Sequence, residues 1–180
     1  MRYREVDVVT NPQLHRKVKA LYESAFPKEE RIPWWLLLVS AHRKGVGLSA
    51  WLDGEVFCGF TAWVTVEKMH FLLFFAVEED QRGKGCGSAI LAEVQKKFPS
   101  VTLNVELLDP AAENYDQRVR RVAFYRKNGF FDTGWDVWEI GGQFRVLSTR
   151  QRLDVRAYRK VFRKLGCGIW NVKLKEERKS

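Results

Sequence analysis

The clearest chemical signal in the chain is one run of eleven residues, Glu78-Glu79-Asp80-Gln81-Arg82-Gly83-Lys84-Gly85-Cys86-Gly87-Ser88. It stands between an apolar run that reads as a strand and an amphipathic run that reads as a helix. Glycines at 83, 85 and 87 permit tight curvature and leave backbone N–H groups unshielded at a helix amino terminus, an arrangement that binds phosphate. Spacing narrows the ligand. A P-loop sets Gly-Lys directly before Ser or Thr, but here Gly85 follows Lys84 and the hydroxyl comes only at Ser88, so the magnesium ligand of a triphosphate site is misplaced. A dinucleotide fingerprint beginning at Gly83 would place Gly at 88, and one beginning at Gly85 would place Gly or Ala at 90; the chain has Ser88 and Ile90. Several residues also separate Val77 from the first glycine, too many for that motif's tight turn.

The pattern that fits is Arg-x-x-Gly-x-Gly, spelled Arg82-Gly83-Lys84-Gly85-Cys86-Gly87. With it the chain resembles the Gcn5-related N-acetyltransferase (GNAT) family, in which this loop cradles the pyrophosphate of acetyl-coenzyme A (acetyl-CoA). A second segment, Ala123-Phe124-Tyr125-Arg126-Lys127-Asn128-Gly129-Phe130, resembles the family's helix that carries a Tyr and ends at Gly-Phe. The resemblance spans about residues 56 to 131, extends more loosely back to residue 1, and leaves the tail uncovered. It implies an α/β (α+β) fold with a mixed, mostly antiparallel twisted sheet of about seven strands flanked by helices. Two positions depart from the family pattern. Arg118 stands where many members carry an Asn that helps hold the pantetheine arm, with Asn114 the nearest alternative. Phe71 stands where histone-modifying members place a catalytic Glu, so their general base is missing.

The reaction implied by the resemblance is transfer of an acetyl group from acetyl-CoA to a primary amine, on a small molecule or a peptide, by direct attack on the thioester. An alkyl ammonium has a pKa of about 10.4, so the acceptor must lose a proton before attack, and the departing thiolate benefits from a donor near the sulfur. By resemblance Tyr125 is the candidate acid, with a packing role as the other reading. The loop Arg82, Gly83, Lys84, Gly85, Cys86, Gly87 and Ser88 would hold the cosubstrate. The end of the preceding strand, from Phe75 to Val77, would lie along its arm, with the Phe75 N–H polarising the thioester oxygen. Three candidates compete for the base: Glu106 at the end of a strand, His70, and a water. Glu29, Glu30, Arg31, Trp34 and Trp35 fall where the family borders its acceptor. The rival reading is a non-catalytic CoA-binding module that uses a basic tail to contact RNA or a protein partner.

Metal chemistry is not expected. His15, His42 and His70 lie far apart and form no His-Glu-x-x-His pair, while Cys58, Cys86 and Cys167 form no Cys-x-x-Cys and read as reduced thiols.

Positioning these residues needs a definite order of elements. Tyr3 to Val9 reads as a strand, and Leu14, Val18, Leu21, Tyr22 and Ala25 mark an amphipathic helix stopped near Pro27. A second helix is expected from Pro33 to Lys44; its run Trp34 to Val39 is apolar on every side and should be buried or line a pocket. Asp53-Gly54 signals a hairpin between strands 48–52 and 55–66, and the almost wholly apolar strand Met69 to Val77 should be central in the sheet. Then follow a helix from Ser88 to Phe98, a strand from Val101 to Glu106, a basic helix from Gln117 to Asn128, and strands 131–140 and 143–149 about a turn at Gly141-Gly142.

Composition agrees with a folded domain. The 180 residues are 46% hydrophobic and 13% aromatic, far from the make-up of a disordered chain. No uncharged stretch exceeds the eleven residues 32–42 or 56–66, too short to cross a membrane as a helix. The charged amino-terminal run does not read as a secretory signal, so a cytoplasmic chain is expected. Charge is uneven. Residues 151–180 hold ten Lys or Arg against three acidic residues, which accounts for seven of the net nine positive charges. Nucleic-acid binding is therefore not expected of the main domain, 1–150, but is open for the tail, 151–180. Within the tail, Arg152 to Leu165 reads as a basic amphipathic helix whose apolar residues Val155, Tyr158, Phe162 and Leu165, together with Trp170, should dock on the main domain.

Overall fold

The structure, a computed structural model, describes residues 3–139, 142–165 and 172–176. Its strands follow the order β1-β2-β3-β4-β5-β7-β6-β8 in one open, mostly antiparallel sheet. By contacts the chain divides into two compact units, Met1–Thr65 with Leu72–Lys97, and Val66–Phe71 with Phe98–Ser180.

The first unit is built on β1 (Tyr3–Asp7), β2 (Val46–Asp53), β3 (Val56–Val66) and most of β4 (Met69–Val77), with α1 (Pro12–Ala25), α2 (Trp34–Ala41) and α3 (Cys86–Lys97). β1 pairs with β2 and β2 with β3, both antiparallel, placing Val6 beside Ala50 and Ala50 beside Phe60. The expected hairpin forms, but its turn is shifted by one residue: Asp53 still pairs with Val56, and the two turn residues are Gly54 and Glu55, with Gly54 at φ 60°, the left-handed conformation such a turn needs. Leu14, Val18, Leu21 and Tyr22 recur with helical period and give α1 one buried face, which joins Leu48, Ala50, Phe60 and Phe74 in the core. Tyr22 does more than fill space. Its ring meets Phe60 at 6.0 Å and Phe74 at 4.9 Å, while its hydroxyl accepts from the Ile32 N–H at 2.7 Å and donates to the Ile32 carbonyl at 3.0 Å. The connector between α1 and α2 is thus fastened to the core at one residue.

Of the two placements expected for α2, buried or lining a pocket, burial on every side is not what forms. Leu37 is fully buried and Trp34, Leu38 and Ala41 pack partly against the core, but Trp35 is 66% and Val39 57% exposed. Only one stripe of a surface helix can face the core, so an all-apolar sequence necessarily leaves the rest in water.

The second unit carries β5 (Ser100–Glu106), β6 (Phe131–Glu139), β7 (Gly142–Ser148) and β8 (Lys173–Glu176), with α4 (Tyr115–Lys127) and α5 (Val155–Leu165). β7 is flanked antiparallel by β5 and β6, and β8 adds to the other side of β6, with Val137 opposite Leu174. This strand from the tail raises the sheet to eight where about seven were expected. α5 begins at Val155, later than Arg152, because the Asp154 carboxylate accepts the Ala157 N–H at 3.0 Å and caps the helix there. Its buried residues are Ala157, Tyr158, Val161 and Phe162, with Phe71 packed against the Tyr158 and Phe162 rings at 5.7 and 5.4 Å. Gly141 of the second hairpin turn, Cys167 and Trp170 lie outside the described residues.

Candidate active site

In the first unit the glycine loop is folded back onto the end of β4. Gly59 of β3 lets the end of β4 pass close beside it: a Cβ there would stand 2.3 Å from the Ala76 carbonyl oxygen. The Glu78 N–H donates to the Cys58 carbonyl at 2.9 Å, a single 3₁₀ turn follows at Glu79–Gln81, and Arg82 Nε donates to the Val77 carbonyl at 3.0 Å. Gly83 and Gly85 then take φ values of 75° and 84°. α3 begins at Cys86, two residues before the expected start, and its first intrahelical bond runs from the Ala89 N–H to the Gly85 carbonyl at 3.0 Å. The N–H groups of Cys86, Gly87 and Ser88 therefore lie in the open first turn, where the helix dipole is positive and where α3 has no acidic residue.

These features fit a diphosphate. A Cβ on Gly83 or Gly85 would meet nothing within 4 Å, so the volume above the loop is open. Arg82 and Lys84 are exposed beside it, and the terminal nitrogens of Arg82 have no partner among the described residues. Cys86 contributes backbone only. Its side chain is buried and its Sγ accepts from the Tyr3 hydroxyl at 3.3 Å, while burial pushes the nearby Cys58 thiol up to about 11; both are free, buried thiols. Phe75 and Val77 are half-buried at the end of β4.

Glu106 and Tyr125 belong to the second unit. Glu106 ends β5 and is enclosed by donors: Oε1 accepts from Asn114 Nδ2 at 3.0 Å and lies 3.2 Å from an Arg118 guanidinium nitrogen, while Oε2 pairs with Arg121. Arg118 also donates to Asn114 Oδ1 at 2.7 Å and to the Leu107 carbonyl at 2.8 Å. Arg118, which stands in place of the family's Asn, and Asn114, its nearest alternative, thus both hold this carboxylate at the start of α4. Three donors thus meet this carboxylate, two at Oε1 and one at Oε2.

Tyr125, on the last turn of α4, is buried between Phe124 and Phe130, with ring centroids at 5.3 and 5.4 Å. Its hydroxyl makes no hydrogen bond among the described residues. Burial pushes it up to about 12, against a lesser opposing pull from Arg121, so it keeps its proton throughout the physiological range. His70 is stacked flat on Phe98 at 3.6 Å and fully buried, the placement of a packing residue.

Sequence reasoning passed over Gly59, Tyr3, Arg121 and the chain Tyr158–Asn104–Glu139, in which the Tyr158 hydroxyl donates to Asn104 Oδ1 at 2.9 Å and Asn104 donates to Glu139. A glycine inside a strand was the only visible signal among them.

Comparison with known proteins places the chain in a family. The family model described as "Acetyltransferase (GNAT) domain" matches residues 40–131, just over half of the chain. No curated protein sequence matches. Among solved structures, a GNAT-family protein from Bacteroides thetaiotaomicron superposes with a TM-score of 0.72 at 19% identity, covering 94% of this chain and all of the other. An aminoglycoside 6'-N-acetyltransferase complexed with coenzyme A gives 0.63 at 18% identity, over 86% of this chain and all of the other. The ribosomal-protein-S18-alanine N-acetyltransferase of Escherichia coli gives 0.58 at 14%, over 84% and 96%.

Proposed function

The chain belongs to the GNAT acetyltransferase family, and from that premise we propose that it moves an acetyl group from acetyl-CoA to a primary amine by direct attack on the thioester. The observation that carries this is the open first turn of α3: three backbone N–H groups beside two glycines of positive φ, with Arg82 and Lys84 adjacent and no acidic residue in the turn. An anion at a helix amino terminus is stabilised by those N–H groups and by the dipole together. In this reading the loop from Arg82 to Ser88 holds the pyrophosphate and the end of β4, Phe75 to Val77, follows the thioester arm.

Tyr125 is assigned the acid. Its hydroxyl is neutral at any working pH and carries a proton that no acceptor among the described residues holds, so it can be given to a departing thiolate. Glu106 already accepts from Asn114, Arg118 and Arg121, and in this proposal it holds those three groups in place. His70 is packed against Phe98. The proton of the acceptor amine therefore passes to water in this proposal. Its acceptor class is an amine on a small molecule or a protein, as for the aminoglycoside and ribosomal-protein enzymes of the same fold.

Two measurements test the proposal. Acetyl-CoA and CoA should raise the melting temperature while NAD and ATP do so much less; equal stabilisation by NAD would sink the assignment of the loop. A panel of amines, peptides and aminoglycosides, followed by release of free thiol, should then show turnover with at least one acceptor. Tight acetyl-CoA binding without thiol release on any of them would instead favour a binding module.

A further inference from the structure

We propose that the outer face of α5 is a docking surface for the phosphodiester backbone of a nucleic acid, read without regard to base sequence. The helix carries five cations, Arg156, Arg159, Lys160, Arg163 and Lys164, and no carboxylate. Its two faces are sharply divided. Ala157, Tyr158, Val161 and Phe162 are buried, whereas Arg156, Arg159, Lys160 and Arg163 are exposed. Lys160 pairs with Glu67, but Arg156, Arg159 and Arg163 have no ion pair or hydrogen bond among the described residues. Steps of three and four residues set these three guanidinium groups in one stripe, spanning about 10 Å along the axis.

Like charges at this spacing repel and weaken the helix that bears them, so the stripe is held by what lies beneath it. The Asp154 cap, the Tyr158 bond to Asn104 and the packing of Phe71 on Tyr158 and Phe162 fix α5 in place. A polyanion laid along the stripe removes the repulsion, and little further ordering is needed to bind it.

The chemistry selects the polyanion. Guanidinium groups match phosphate oxygens two at a time, and three in a row suit a repeating phosphodiester. An anionic membrane is a poorer fit, because a helix lying in a bilayer surface buries an apolar face there and the apolar face of α5 is already used by the core. Between the arginines only Lys160, paired with Glu67, is exposed, while 157, 158, 161 and 162 are buried, which leaves no amide or hydroxyl on this face to read base edges.

Fluorescence anisotropy with a labelled single-stranded RNA of about 20 nucleotides tests this on the full chain. Three phosphate contacts give a slope of log K against log salt of about −2, hence about 20-fold weaker binding at 200 mM than at 50 mM salt. The variant R156Q/R159Q/R163Q should lose that slope and bind RNA at least ten-fold more weakly in low salt, with unchanged melting temperature and acetyl-CoA affinity. R156Q alone should remove about a third of the slope. As a charge-matched control, R16Q/K17Q/K19Q on α1 should change RNA binding far less. The proposal is overturned if the two triple variants weaken binding equally, since net charge alone would then explain it. It is also overturned if phosphatidylserine vesicles or polyglutamate engage the α5 arginines as tightly as the RNA does.

Discussion

Gly85 combines a φ of 84° with open space where a Cβ would stand, so a leucine there carries two separable penalties. The first is local. An L-residue in the left-handed region costs about 1–2 kcal/mol, which in a chain of this size lowers the melting temperature by roughly 2–8 °C. The second appears only with ligand. The side chain projects into the volume left for the phosphates and denies them the N–H groups of the first turn of α3. Losing two charge-assisted hydrogen bonds at about 1.5–3 kcal/mol each weakens CoA binding by roughly 10² to 10⁴-fold. Gly54→Leu supplies the control. That residue also has positive φ, at 60°, and nothing within 4 Å of its Cβ position, but it lies in the β2–β3 hairpin. Calorimetric titration with CoA beside thermal melts of both variants should show similar losses of stability and a loss of affinity confined to Gly85→Leu. If Gly85→Leu binds CoA as tightly as the parent chain, the loop does not hold the pyrophosphate.

Three further outcomes are expected. Tyr125→Phe should lower turnover by about 10²-fold or more while acetyl-CoA affinity changes little, since the ring stays in place; full activity would reassign Tyr125 to packing. Its raised pKa also has a sign that melts can check: the folded chain keeps this proton to about 12 and the unfolded chain only to about 10, so Tyr125 contributes a fall in stability between pH 10 and 12 that the Phe variant lacks. Glu106→Gln should cost about 1–3 kcal/mol in denaturant melts, because Arg118 and Arg121 lose their shared counter-charge, while turnover holds; a large loss of turnover with stability intact would make Glu106 the base after all. Phe162→Ala should cost about 3–5 kcal/mol, as it opens a cavity between α5 and Phe71, and a loss under 1 kcal/mol would refute that packing.

The parts of this protein legible in its sequence are those in which neighbouring residues decide. The apolar face of α1 and the glycine loop need only local stereochemistry and stand where spacing puts them, and the β2–β3 hairpin forms with its turn moved one residue on, to Gly54-Glu55. Helix starts differ from the expected Ser88 and Arg152 because periodicity does not fix a terminus: α3 begins early, its first bond running from the Ala89 N–H to the Gly85 carbonyl, and α5 begins late, at the Asp154 carboxylate that caps it. What could not be read depends on long separations. Lys173–Glu176 is a charged run with one leucine, and only pairing with β6 makes it a strand. Glu106 looks like a free carboxylate until Arg118 and Arg121 are brought to it by the turn of α4. The exposure of Trp35 and Val39 was hidden because an all-apolar run does not say which stripe the core will take.

Phe71 links the chemistry of the chain to its architecture. The strand position to which the family resemblance would assign a catalytic carboxylate is here closed over by Tyr158 and Phe162. Catalytic base and seat for the carboxy-terminal helix are thus mutually exclusive uses of one residue. Writing Glu back at 71 would not restore a base but would place an ionisable group in an aromatic interior, where it either stays protonated or expels α5. An engineer wanting a faster enzyme from this scaffold would have to redesign the tail first, and could not treat it as a detachable appendage to be trimmed or swapped without regard to the strand beneath it.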